Sequence, residues 1–413
     1  MSTYANVLTL AIPVFFFLVL LEILYGLTTK KHYYNFMDTL SSLSSGITNL
    51  LKDLLGIGII IISYPFIKKY ISIIELNEST LLYIIAFICL DFASYWNHRL
   101  NHSVNFFWNQ HVIHHSSQEF NLACALRQSI SNLLGYGAIF LIPAAFFGVP
   151  HKVISFLAPL HLFGQFWYHT KHIGKLGFLE YILVTPSQHR VHHAINKEYI
   201  DKNLSAIFCV WDRLFGTFQE ELDNVPCVYG TLKPVNTWNP FIINFQHLWN
   251  LIIDAWHTEK LISKIKIWFM PTGWRPDDVK VRIKRDKIID IYNQQKYKIE
   301  YKNIHIFYAI FNFTYINAGL WILLTGYDEL GNNLKMFYSI FILTTIFGFT
   351  SIMDSYKWAS YIELLRLMTG IFFINNIIEI ENFNFYLFNF YFMFSIFLTL
   401  TVSNYLPKEN KMV

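Results

Sequence analysis

The chain has 413 residues, of which 54% are hydrophobic, 18% aromatic and only 15% charged. Water-soluble domains carry about 25% charged residues, so this composition argues against a soluble globular protein. A formal net charge of +4 is too small to point to a nucleic-acid partner.

Apolar stretches set the organisation. A helix crossing a bilayer core needs roughly 20 residues. The first stretch, "VLTLAIPVFFFLVLLEILYGL" (7–27), is too long for a signal-peptide core, and no small-residue cleavage site follows it. It predicts a retained membrane helix. Further spans are predicted at 47–67, 81–96, 133–149 and 153–168, the last two forming a hairpin across "PHK". Four more are predicted at about 304–325, 335–353, 358–377 and 384–404. The expected fold class is an all-α, polytopic membrane helical bundle of about nine helices. Residues 1–258 form the expected catalytic membrane domain and 304–413 a C-terminal helix bundle. The polar segment 259–303 joins them, and "WFMPTGWRP" within it breaks any helix.

Charge placement gives an expected topology. Lys30 and Lys31, the stretch "KVRIKRDK" (280–287) and the tail "KENK" fall on one face if the N-terminus lies outside. By the positive-inside rule that face is cytoplasmic, and chain parity places 97–130 and 169–303 there too. Lys68 and Lys69 fall on the other face. The membrane can be a bacterial inner membrane or the endoplasmic reticulum. Cys89, Cys124, Cys209 and Cys227 are scattered without a C-x-x-C pattern, which predicts neither disulfides nor a thiolate metal site.

The chemistry-bearing residues are histidines. They cluster in "HRLNH" (His98, His102), "HVIHH" (His111, His114, His115) and "HRVHH" (His189, His192, His193). On a helix, positions i, i+3 and i+4 share a face, so each motif is expected to point its imidazoles in one direction. Imidazole suits iron, zinc, copper and nickel. Eight rings exceed the four ligands of one tetrahedral zinc. Two metal ions, each with three or four histidines and open positions, fit the number better. An open redox site beside a membrane suggests dioxygen chemistry on a lipid C–H bond. A metal transporter or metal sensor is the alternative of a different class, but its ligands would sit near the bilayer midplane.

The pattern H-x3-H, H-x2-H-H, H-x2-H-H, with "WDRLFGTF" (211–218) after it, resembles the fatty acid hydroxylase superfamily, also called the sterol desaturase family, of membrane di-iron oxygenases. Within it the chain is most similar to the alkylglycerol monooxygenase subgroup. That likeness runs through "NHRLNHSVNFFWNQHVIHHSSQEFNLACALRQS" (97–129), "QFWYHTKHIGKLGFLEYILVTPSQHRVHHAINKEYIDKN" (165–203) and "MPTGWRP" (270–276). The resemblance implies two ferrous ions, dioxygen and a lipid substrate. It adds His169, in "WYHTKH", to the ligands. For the subgroup it implies hydroxylation of the carbon next to an ether oxygen. The hemiacetal so formed falls apart into an aldehyde and a glycerol derivative, with electrons from tetrahydrobiopterin. A sterol, fatty acyl or carotenoid substrate, with a redox protein as electron donor, is the alternative within the superfamily. One departure stands out: the subgroup has a glutamate directly after the second histidine of the first motif, and this chain has Ser103. That bears on the pterin and on the ether substrate.

Other residues carry expectations of their own. Glu119, one turn beyond the first triplet, is expected to bind a ligand histidine or the metal itself. Asp91 lies within an apolar span, where an ionisable group is functional by default. It is two turns before His98 and is expected to serve the metal site. His161, Gln165, His169 and His172 form a polar stripe expected to pack inside the bundle. Arg99 and Arg190 are expected to anchor headgroups or bind carboxylates, and Asn196, Tyr199 and Asp201 to line a substrate mouth.

Overall fold

The computed structural model describes residues 2–377 and 382–405; the "KENK" tail lies outside them. Helices dominate. Five are long and apolar enough to cross a membrane: Ala5–Thr28, Thr80–Ser103, Asn303–Thr325, Asn332–Met353 and Phe383–Ser403. The expectation of nine spans is thus corrected to five among the described residues.

Local chemistry explains the difference. The stretch expected as a span at 47–67 is broken. The Phe36–Leu54 helix ends at Leu55, and Gly56 takes the left-handed backbone conformation that glycine tolerates. Ile59 and Ile60 then pair in parallel with Leu134 and Gly135, and Tyr64–Ile71 is a short helix opened by Pro65. The strand pairing also consumes the start of the expected 133–149 span, which retains only Gly137–Leu141 and Ile142–Phe146. His151–Phe163 has 13 residues, about 20 Å of helix, short of a core about 30 Å thick. Ala359–Asn376 has 18 residues and buries Glu363.

Two apolar cores flank the middle of the molecule. One joins Tyr64–Ile71, the apolar part of Thr80–Ser103, Ile142–Phe146 and His151–Phe163. The other joins the C-terminal helices to Met37, Leu40, Ile47 and Leu51 of Phe36–Leu54. The latter holds a buried ion pair within the apolar bundle. Arg366 Nη2 lies 2.7 Å from Glu363 Oε1, and Tyr308 donates to that same oxygen. A buried charge is tolerated when it is paired and hydrogen-bonded in this way. Gly348 makes room for it, because a Cβ there would meet Glu363 Oε2 at 1.9 Å.

Within the segments expected to be extramembrane, Pro240–His257 and Leu261–Phe269 form a helical hairpin. Trp249, Ile252, Trp256, Leu261, Ile265 and Phe269 are exposed along it. Its other side grips the chain after the first histidine motif. Asn105 donates to Ile267 O and Trp274 O at 3.0 and 2.9 Å, and His247 Nε2 donates to Asn105 O at 2.8 Å.

Candidate metal centre

The nine histidines expected as ligands converge as two groups. His98, His102, His111, His115 and His192 form one; His114, His169, His189 and His193 form the other. Within each group the candidate ligand atoms all lie within 4.8 Å of one another.

The local folds explain how. Thr80–Ser103 is capped by Ser79, whose side chain accepts from Leu82 N. Its last turns place His98 and His102 one above the other. His111, His114 and His115 lie on and before the one-turn helix Val112–His115. Pro186–His193 is capped by Thr185 and opened by Pro186. The expectation that each triplet points one way is corrected here. Positions i and i+4 stack on one face, while position i+3 looks to the other side of them. His111 and His115 therefore join the first group and His114 the second. The last triplet mirrors this, with His189 and His193 in the second group and His192 in the first. Each triplet bridges both groups.

Hydrogen bonds fix the ring orientations. Nδ1 of His98 donates to Leu204 O (2.8 Å), of His192 to Lys202 O (3.0 Å), of His114 to Arg127 O (3.3 Å) and of His169 to Gln165 O (3.1 Å). His102 Nδ1 faces the Asp201 carboxylate at 3.1 Å. A carbonyl oxygen only accepts, so these rings carry their proton on Nδ1 and aim an Nε2 lone pair inward. His114 Nε2 and His169 Nε2 stand 3.4 Å apart with both protons spent elsewhere. Two facing lone pairs repel unless a cation lies between them. Among the described residues the buried Nε2 atoms of His102 and His192 have no hydrogen-bond partner. Donation of the outer nitrogen to a carbonyl or carboxylate is how metal-bound histidines are held.

The electrostatics agree. Burial pushes His114 down to about 3, and lowers His111, His115, His169, His189, His192 and His193 as well. These seven rings are neutral at pH 7, the form that binds metal. Phe120 stacks on His169 and packs on His193, and Tyr168 lies 4.2 Å from His189. These rings keep water from the inward nitrogens.

The motif "WDRLFGTF" also acquires a role. Asp212 accepts from Leu204 N (2.7 Å), Ser205 N (3.0 Å) and the Thr217 hydroxyl (2.7 Å). Asp201 and Asn203 have positive φ, which their short polar side chains tolerate. The resulting curl presents the Asp201 carboxylate and the Lys202 and Leu204 carbonyls to three rings of the first group.

The remaining candidates lie outside both groups. Asp91 accepts from His161 Nε2 (2.7 Å), Ile207 N, Phe208 N and Trp211 Nε1. Glu119 pairs with Lys296 at 2.6 Å. The stripe expected at 161–172 splits: Gln165 bonds His161, whereas the His172 ring packs on Tyr25 and Tyr33. Arg190 grips the Glu221 carboxylate, and Arg99 donates to the Tyr95 hydroxyl and Phe215 O. Asn196 and Tyr199 bond the backbone at Val228, Pro226 and Val225.

Sequence reasoning missed three positions. Arg127 is buried against Asp38 at 2.7 Å and donates to Ser116 Oγ, beside the first triplet. Glu22 sits in the first span, accepts from Leu122 N at 2.8 Å and bonds Tyr34 and Thr170. A carboxylate inside an apolar span was the available signal for Glu22. For Asp212 it was the lone aspartate of the 211–218 motif.

Residues 83–217 match the family model described as fatty acid hydroxylase. The chain is 39% identical over 268 residues to alkylglycerol monooxygenase of Homo sapiens, covering 64% of this chain and 59% of that protein. For the Danio rerio protein of the same name the identity is 37% over 271 residues, with the same two shares. An ornithine lipid hydroxylase of Rhizobium tropici is 27% identical over 135 residues, covering 33% of this chain and 41% of that protein. The chain thus spans less than two thirds of the length of these curated relatives. No solved structure matches. All nine histidines fall within 83–217, the stretch that is similar to the fatty acid hydroxylase model.

Proposed function

We propose that the two histidine groups hold two iron ions and that the protein is an integral membrane monooxygenase acting on lipids. The observation that supports this most is the convergence of inward Nε2 lone pairs, His114 against His169 above all. Bound iron would supply the activation of dioxygen that C–H hydroxylation needs. The chain's own residues hold the ligands, exclude water and place the lipid.

An ether lipid of the alkylglycerol type is the substrate we favour, because the likeness to alkylglycerol monooxygenases extends well beyond the histidines. Hydroxylation next to the ether oxygen would release a fatty aldehyde. Tetrahydrobiopterin is the proposed electron donor and dioxygen the oxidant. We place both triplets on the cytoplasmic side, consistent with the lysines and arginines of 259–303 outnumbering its acidic residues. The proposed division keeps catalysis in 1–258, with 304–413 as a helical support and 259–303 between them.

Purified protein tests this directly. About two irons per chain, and aldehyde formed from a 1-O-alkylglycerol with dioxygen and tetrahydrobiopterin, are expected. Protein that takes up no iron would overturn the reading. Protein that takes up iron but leaves the ether intact would move the substrate to a sterol, fatty acyl or carotenoid chain.

A further inference from the structure

The inner side of the Pro240–Phe269 hairpin gathers cations that the histidine chemistry does not use. Asp254, buried on Pro240–His257, accepts from Arg275 through both oxygens at 2.6 and 3.0 Å. Arg285 Nη2 reaches the same carboxylate and also Asn250 O at 2.9 Å. The Leu232 carbonyl accepts from Ile288 N at 3.0 Å, which brings Lys233 alongside this strand of cations. One carboxylate therefore pairs with two arginines while Lys233 lies nearby with no ion pair of its own among the described residues, and all three cations are wholly or partly buried.

The donors are not spent. Arg285 Nε is buried with no acceptor. Among the described residues no hydrogen bond engages Lys233 Nζ or the Nη1 groups of Arg275 and Arg285. Burial, followed by the charges of Arg275 and Arg285, pushes Lys233 down to about 8. An unpaired buried charge is costly unless an anion joins it. Arginine offers paired donors that match a phosphate, and lysine adds a point charge.

We infer that Lys233, Arg275 and Arg285 form a binding site for a phosphate-type anion on the inner side of the hairpin. The anion is the phosphate of an anionic lipid headgroup or free inorganic phosphate. The exposed face of the hairpin supports the lipid source. Trp249, Trp256, Leu261 and Phe269 point outward, and Lys260, Lys264 and Lys266 lie among them. Tryptophan and apolar residues on one face with lysines beside them mark a helix lying in the headgroup region.

Lys233→Gln tests the site without breaking the Asp254 ion pairs. Native mass spectrometry of the full-length protein would count retained phosphatidylglycerol, and calorimetry would titrate inorganic phosphate. Loss of a charge-assisted contact predicts about a tenfold weaker association in the variant. Phosphatidylglycerol retained by the parent and lost by the variant upholds the site with a lipid source. Weakening of inorganic phosphate alone upholds it with free phosphate as the ligand. Equal binding of both anions by parent and variant, with an unchanged melting temperature, overturns the inference. Tryptophan at position 256 gives a second readout. A spin label at Trp256→Cys in phosphatidylglycerol nanodiscs should be reached by oxygen and shielded from a polar relaxant, unlike one at Ile289→Cys, which is 99% exposed. A label at 256 as open to the polar relaxant as that at 289 removes the lipid source.

Discussion

The two histidine groups are built from the same triplets yet are supported differently. The first has five rings, and three of them lean on one short curl: Asp201, the Lys202 carbonyl and the Leu204 carbonyl. The second has four rings, and its outer bonds run to separate segments, at Arg127 and Gln165. Among the described residues the first group also has the one carboxylate found against any of the nine rings, and Asp201 is 58% exposed in its side chain. The second is walled by Phe120 and Tyr168. The comparison teaches that one group depends on a single loop and meets water at its edge, while the other depends on dispersed packing and is sealed.

Ligand removal should break the symmetry most. Any single alanine among the nine is expected to lower turnover by at least about 100-fold, since ligand geometry is shared through both triplets. Iron content should differ between groups. His189→Ala or His193→Ala leaves three rings and should drop the metal from about two ions per chain to about one. His102→Ala leaves four rings in the first group, and that variant should keep nearly two. Equal metal loss from both groups, measured by elemental analysis, would refute the distinction.

The loop should come next. Asp212→Ala strands the Leu204 and Ser205 amides, each worth about 1–3 kcal/mol when buried without a partner. Thermal unfolding should show a loss of roughly 2–4 kcal/mol. Spectroscopic change should appear at the first group before the second. A variant that unfolds like the parent would show that the curl stands without its aspartate.

Much of this site was legible in the chain, and the limits of that legibility are physical. Histidine spacing named eight of the nine converging rings, because few folds bring so many imidazoles into three short stretches by chance, and the family resemblance added His169. Spacing did not reveal the exchange between groups, which depends on rings at i+3 and i+4 straddling a helix rather than sharing a line. Hydropathy found the five spans but overcounted. It averages over Gly56, Pro65 and the 13-residue length of His151–Phe163, where the backbone turns. It also passed over the Pro240–Phe269 hairpin, where Asn, Gln, His and Asp in the first helix and lysines in the second lower the average. Asp91, expected from its place in a span to serve the metal site, accepts from the Ile207 and Phe208 amides, His161 and Trp211, partners that spacing alone does not show.

A milder change sharpens the contrast at the water-facing edge. Asp201→Asn keeps an acceptor for His102 Nδ1 but removes the charge. Loss of such an outer partner typically costs 10–100-fold in metal affinity or activity, and with the acceptor kept the expected cost is about 10-fold, the low end of that range. The effect should fall on the first group alone. An Asn variant with full turnover and unaltered metal affinity would make the carboxylate a surface charge without consequence for the site.

The smallest expected effect lies at Ser103. Its hydroxyl donates to Arg99 O at 2.7 Å, back onto its own helix, and its carbonyl accepts from Thr272 N. The side chain is exposed and bonds to none of the nine histidines. The ligand set should therefore be indifferent to it, and Ser103→Glu should bind iron as the parent does. The electron supply and the choice of substrate are what is at stake. Our proposal expects tetrahydrobiopterin to drive aldehyde formation from an alkylglycerol in the parent, with the glutamate variant changing the rate no more than about threefold. Pterin-dependent turnover in the variant but not in the parent would assign the electron donor to position 103. A ferredoxin or cytochrome b5 system would then be the donor to try with the native serine. Because residue 103 follows His102 directly, either result reports on the first group, the one that reaches water.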